Sequence, residues 1–366
     1  MSIAAASDAP SEATSRITWV HPQGGFVGLS LLNALLRILT LGVYHFWGKT
    51  EVRQRIWSAV RIEGEPLEYR GTGGELFRGF LVVFVLVLLP LGFIAFVVPL
   101  LLGTQIGQRG GVETLLWLLV FTLWGIGIHR ARRYRLSRTR WRGIRGGLSG
   151  RSAPFAWTYL WTTLLVPLTL GWILPWRAVR LQKALLDQTH FGDKAFTFTG
   201  RAGPLYSRFW LVWVSAIVLF IGAGAAVGIV IGRNATNMAP IQPPSAVQIA
   251  AIVGIVFGAL LIFAIIRAWY SSRMFNYFAA ETKYQGSSFR LRATVSSLIW
   301  LVASNYLIRA LTLTILSPVA EARSMRYIVD RLSLEGQLEW QAIGQNPDAL
   351  LTRGEGLAEA FNVDAF

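Results

Sequence analysis

The chain has 366 residues, of which 53% are hydrophobic and 15% charged, whereas a soluble domain usually has about a quarter of its residues charged. A formal net charge of +16 would suit nucleic acid, but the bases stand in blocks beside apolar runs, where membrane topology and anionic lipid account for them. The absence of cysteine excludes disulfides, thiolate metal sites and cysteine nucleophiles, and His21, His45, His129 and His190 lack ligand spacing.

Residues 1–16 carry neither a basic leader nor an apolar core and read as a disordered polar lead. From Ile17 an alternating stretch ending in glycine, ITWVHPQGGFVGLS, suits a short strand and turn. It leads into an apolar segment from Ser30 that contains Asn33, Arg37 and Leu39-Thr40-Leu41, followed by a basic stretch at 49–62. A second strand-like piece at 67–80 precedes apolar runs at 80–103 and 112–128. Such runs approach the roughly 20 residues a membrane helix needs.

The basic block 129–138 and a glycine-rich stretch at 140–157 come next, and the pattern then recurs. An apolar segment from Tyr159 holds Leu168-Thr169-Leu170 and is followed by basic 177–187, strand-like 196–209 and apolar runs at 209–232 and 247–266. Gly222, Gly224, Gly228 and Gly232 have the small-xxx-small spacing of closely packed membrane helices. After basic 267–280 and strand-like 287–300, a third segment from Ala303 carries Asn305, Arg309 and Leu311-Thr312-Leu313. Basic 319–332, a strand-like LEWQAIG at 338–344 and a polar tail at 345–366 complete the chain. Aligned on Leu-Thr-Leu, Asn33 and Arg37 correspond to Thr162 and Val166 of the second copy, which has lost the polar pair.

This order predicts a mainly α, polytopic membrane protein. Its parts are four long transmembrane helices, three repeated re-entrant or interfacial helical hairpins, and short β-strands at the cytoplasmic side. Residues 17–344 form one membrane domain, with repeats at about 17–75, 140–205 and 287–344 joined by transmembrane hairpins 80–128 and 209–266. Charge favours hairpins over ordinary spans. If each Leu-Thr-Leu segment crossed once, 129–155 with nine Lys or Arg would lie opposite 177–208 with six and 267–294 with five, against the positive-inside rule. Entry and return on one side puts all three loops in the cytoplasm.

Leu-Thr-Leu-Gly-x-x-x-x-Trp followed by a basic helix (39–55 and 168–183), with YRLSRTRWRGIR at 134–145, resembles the YjgN-like bacterial inner-membrane proteins from about Ile17 to Gly344. The resemblance implies a bacterial inner membrane and supplies no catalytic residues, because the family has no known function. Gly48 departs from the usual Trp-Ala-Lys of the first copy, and the third copy lacks the tryptophan.

Asn33 with Arg37, and Asn305 with Arg309, set an amide and a guanidinium on one helical face in apolar surroundings that make both costly. They are the candidate substrate-binding residues, since the guanidinium fork suits phosphate or carboxylate; snorkelling to an interface is the simpler account. Lys49, Arg53, Arg55, Arg132, Arg133, Arg177, Arg180, Arg323 and Arg326, with Trp47 and Trp176, suit the lipid headgroup layer. The sequence offers no nucleophile with its base, no paired carboxylates in an apolar segment and no metal cluster, so neither catalysis nor a cofactor is expected. Membrane phospholipid, especially anionic, and a small anionic solute are the expected partners, and nucleic acid is not. The leading expectation is a transporter or channel-like protein for an anionic or lipid-like solute with its polar site between the repeats; the alternative is a non-transporting scaffold or lipid-binding protein anchored to the anionic cytoplasmic leaflet.

Overall fold

The computed structural model describes residues 14–15, 17–101, 110–232, 245–336 and 338–344. The fold is mainly helical, and among the described residues four helices are long and apolar enough to cross a membrane. They are α3 (Gly73–Val97), α4 (Gly110–Arg138), α7 (Gly203–Gly232) and α8 (Ala246–Ala280). Within α3 the ladder widens into π turns at Phe84–Leu88 and Phe93–Val97, on either side of Pro90, which has no N–H to give to the turn before it.

Six shorter helices form three consecutive pairs: α1 (Val27–Leu39) with α2 (His45–Ala59), α5 (Ser152–Leu168) with α6 (Leu174–Leu186), and α9 (Val295–Leu311) with α10 (Ser317–Val329). At about 1.5 Å per residue these arms reach roughly 20–25 Å, half the length of α7 or α8. Both the short pairs and the long pairs leave from a strand and return to one, so every helical excursion begins and ends at a strand.

The strands are very short and pair antiparallel with their neighbours. They are β1 (Thr14–Ser15), β2 (Ile17–Trp19), β3 (Val60–Ile62), β4 (Glu65–Pro66), β5 (Glu68–Tyr69), β6 (Thr139–Trp141), β7 (Ile144–Leu148), β8 (Thr189–Phe191), β9 (Lys194–Phe198), β10 (Thr282–Tyr284), β11 (Ser287–Leu291) and β12 (Leu332–Glu335). Nine follow one another in the order β1-β12-β11-β10-β9-β8-β7-β6-β5, and β2-β3-β4 form a second sheet. Only residue 16 separates β1 from β2, and only Leu67, whose N–H donates to Val60 O at 3.0 Å, separates β4 from β5. The strand order therefore closes on itself through β3.

Tight two-residue turns connect the hairpins. Glu63-Gly64, Arg142-Gly143 and Gln285-Gly286 have positive φ at both positions, the type I′ pattern that matches strand twist. Alternation sorts the side chains. Arg140 faces Glu68 and Arg145, and Lys283 faces Thr197 and Ser288, on a solvent-accessible face. The other face carries Trp141, Leu148, Phe198, Tyr284 and Leu334, all buried. Core clusters lie where strand roots meet helix ends, as with Leu148, Phe155 and Leu185, or Val179, Leu186, Phe198 and Leu205.

Three expectations are corrected. Residues 338–344 form no strand: β12 ends at Glu335, Gly336 turns the chain with φ +124°, and a single 3-10 turn follows at Trp340–Ala342. Thr14 and Ser15, assigned to the polar lead, pair with Glu335 and Leu334; the rest of that lead and the 345–366 tail lie outside the described residues. Gly222, Gly224 and Gly228 face open space, and the close helix approach occurs instead at Gly125, where a Cβ would lie 2.9 Å from Ala156 Cα.

Candidate functional site

Each Leu-Thr-Leu tripeptide is the turn of a short helical pair. The threonine ends one helix and starts the next. Thr40, Thr169 and Thr312 donate their hydroxyls to the carbonyls of Leu36 (2.7 Å), Leu165 (2.8 Å) and Ile308 (2.6 Å). The same oxygens accept from the N–H groups of Tyr44 (2.9 Å), Ile173 (3.4 Å) and Leu316 (3.3 Å) at the start of the returning arm. The leucine that follows is left-handed in all three turns, with φ +51° at Leu41, +48° at Leu170 and +47° at Leu313. The next N–H then reaches back five residues, from Gly42 to Arg37 O (2.7 Å), Gly171 to Val166 O (2.8 Å) and Thr314 to Arg309 O (2.7 Å). This is the Schellman closure, which normally places glycine at the left-handed position.

A leucine there costs roughly 1–2 kcal/mol against glycine. Among the described residues nothing offsets the cost by packing over Leu41 or Leu313, which are 95% and 83% exposed, and Leu170 is 75% exposed. Leu39, Val43, Leu168, Leu311 and Ile315 enlarge the same apolar tips. The second tip leans on α7: Trp172 meets Trp213 at 5.2 Å, and Trp213 Nε1 donates to Leu170 O at 2.9 Å.

The asparagines lie inside these pairs. Asn33 Nδ2 donates to Gly48 O at 3.4 Å, and Asn305 Nδ2 to Ala320 O at 3.2 Å and Ser324 Oγ at 3.0 Å. Both reach the carbonyl fifteen residues ahead, on the returning arm. Gly48 makes room in the first pair, since a Cβ there would lie 3.0 Å from Asn33 Cγ. Each asparagine thus fastens its own hairpin, and no hydrogen bond links the Asn33 pair to the Asn305 pair among the described residues. Among the described residues Asn33 Oδ1 and Asn305 Oδ1 stay buried without a partner. Arg37 and Arg309 are exposed, one helical turn before the apolar tips.

Most of the other expected headgroup residues are occupied by protein. Arg53 donates to Tyr69 Oη (3.3 Å), Arg55 to Gly25 O (2.6 Å), Arg323 to Ser304 Oγ (2.8 Å), and Arg133 to the carbonyls of Leu148 (2.8 Å) and Gly150. Arg177 lies 4.8 Å over the Tyr159 ring and donates to Thr163 at 2.9 Å. Arg326 pairs with Asp330 at 3.2 Å, while Arg180 is exposed above the Trp176 ring at 5.7 Å. Arg132 is half-buried with an unpartnered Nε, and Lys49 is half-buried on α2. Trp47 packs beside Phe77 at 5.8 Å, and Trp176 beside Trp161 at 5.4 Å.

Two polar junctions were not legible as pairs in the sequence, because their members come from distant elements. Glu75, three residues after the Thr72 cap of α3, accepts Arg138 Nη2 at 2.7 Å and the Tyr134 hydroxyl from α4. His129, fully buried on α4, meets Gln188 Oε1 at 3.1 Å. At the sheet, Lys194 and the Gly344 N–H hold the Asp193 carboxyl below the usual range. Burial, with Asp193 adding to it, pushes the Tyr284 phenol up to about 12.

A family described as bacterial protein of unknown function, DUF898, matches residues 17–360. The chain is also 34% identical over 71 residues to "Inner membrane protein YjgN" of Salmonella typhimurium, a match that spans 19% of this chain and 18% of that relative. No solved structure matches.

Proposed function

Since the chain belongs to the DUF898 family of bacterial proteins of unknown function, YjgN-like inner-membrane proteins, we propose that it binds anionic phospholipid through three helical hairpins dipping into the cytoplasmic leaflet. The observation that carries this reading is the strained, exposed leucine at each turn. A left-handed leucine in water costs strain and gains nothing; in hydrocarbon its side chain recovers about 1.5–3 kcal/mol. Hairpin arms of 13 to 17 residues are too short to cross with their basic ends wet, and deep enough to bring the tips among acyl chains.

In this placement the strand ring and the basic helix ends lie in the cytoplasm, as the positive-inside rule requires. Arg37 and Arg309, one turn above the tips, have exposed guanidiniums whose long stems snorkel up to the headgroup phosphates. The test compares phosphatidylglycerol with phosphatidylcholine as spin-labelled lipids around the reconstituted protein. Arg37→Ala with Arg309→Ala lowers the preference for the anionic lipid, and Asn33→Ala leaves it unchanged. An unaltered preference in the double variant defeats the proposal.

Transport is the second reading. It draws support from the buried, unpartnered Oδ1 atoms of Asn33 and Asn305, because orphaned buried acceptors call for a donor such as water or a solute. Two separate polar sites, one in each hairpin, then replace a single shared pocket.

A further inference from the structure

Beyond its last strand the chain crosses the tips of two neighbouring hairpins, β6–β7 and β8–β9, without adding a strand to either. The crossing is specific. Trp340 meets Trp141 edge-on with ring centres 4.7 Å apart, and Trp141 is left 1% exposed. Ile343 is buried beside Ile144 and the turn at Gly192. Gly344 N–H donates to Asp193 Oδ1 at 3.0 Å, and Asp193 N–H donates to Gly344 O at 2.9 Å. Only glycine fits at 192, where φ is +58° and a Cβ would lie 2.4 Å from Gly344 O and 2.5 Å from Ile343. Glu339, Gln341 and Ala342 point outward and are exposed.

We infer that Trp141, Ile144, Phe191 and Gly192 form a docking site for a tryptophan-bearing segment, and that residues 338–344 occupy it as an intramolecular latch that opens without unfolding the ring. The contrast in attachment is the reason. The strands beneath it, β6 to β9, are each paired on both sides, whereas among the described residues the latch is held by two hydrogen bonds at one turn and by two apolar side chains. Segments with few buried contacts open locally, well below the free energy of global unfolding. This inference does not depend on the lipid reading.

The cysteine-free chain permits a direct test in the full-length reconstituted protein. Ile144→Cys, beneath the latch, reacts slowly with a water-soluble maleimide, and adding Trp340→Ala speeds the reaction by about tenfold or more, while Trp340→Phe restores most of the protection. Ala195→Cys, on the exposed face, reacts at one rate in all three backgrounds. Separately, Asp193→Cys with Gly344→Cys forms a disulfide on mild oxidation, since a Cβ at 344 lies 3.8 Å from Asp193 Cγ, and Trp340→Ala slows that bond. Equal maleimide rates at Ile144→Cys with and without Trp340→Ala overturn the latch. So does a parallel change at Ala195→Cys, which means the ring itself came apart.

Discussion

Replacing Leu41 by glycine separates a lipid-facing turn from a water-facing one by the sign of its effect. Leu41 has φ +51° and is 95% exposed, so no protein contact is lost with the side chain. Glycine relieves roughly 1–2 kcal/mol of left-handed strain. In water only the freer unfolded chain opposes that gain, by about 0.4–1 kcal/mol, and the variant is neutral to more stable. In hydrocarbon the lost leucine forfeits about 1.5–3 kcal/mol of transfer energy, which cancels or exceeds the relief. The lipid-facing turn therefore yields a neutral to destabilising Leu41→Gly, by up to roughly 2 kcal/mol. Thermal unfolding in lipid nanodiscs reads the sign. Bimane on single cysteines placed at 41, 170 and 313, quenched by lipids brominated along the acyl chain, reads the depth, with Phe257→Cys on α8 as the membrane control. A stabilised Leu41→Gly together with unquenched probes at all three turns, while position 257 is quenched, refutes the reasoning.

The third turn stacks two non-glycine left-handed residues, Leu313 and Thr314, where the other turns have Gly42 and Gly171. Thr314→Gly should accordingly raise the thermal midpoint, by an amount equivalent to about 1 kcal/mol. Asn305→Ala removes two hydrogen bonds across its hairpin and costs about 1–3 kcal/mol in the same assay; Asn33→Ala, with one bond at 3.4 Å, costs less. Gly125→Val drives a side chain into the Ala156 backbone, so α4 and α5 must separate, measurable as a fall in folded yield and in cross-linking between those helices. Acid should loosen the latch. Asp193 is held below the ordinary carboxylate range by Lys194 and the Gly344 N–H, with Tyr284 as its other titratable neighbour. Its contribution is complete above that ordinary range and disappears as pH falls through the depressed value, so maleimide labelling of Ile144→Cys, taken as a ratio to Ala195→Cys at the same pH to cancel the falling thiolate fraction, rises only in acid, and Asp193→Asn flattens that ratio.

Composition alone dictated the membrane class, because four apolar stretches of this length have no stable place in water. The Leu-Thr-Leu turns were legible for a local reason: threonine ends one helix and caps the next through bonds confined to four residues on either side. The asparagines were singled out correctly as polar groups that need partners, but their partners lie on the returning arm. Which carbonyl they meet depended on how the two arms pack. Closure of the sheet could not be read from the chain at all. Strands of two to five residues carry too little periodicity, and the pairing of β1 with β12 joins residues more than three hundred apart. The same holds for Trp340, whose apparent strand became a turn once Trp141 lay within reach. Local hydrogen bonding and hydrophobicity act over a few residues and leave a mark in sequence; ring closure and the seat at Gly192 arise only when distant backbones meet in space.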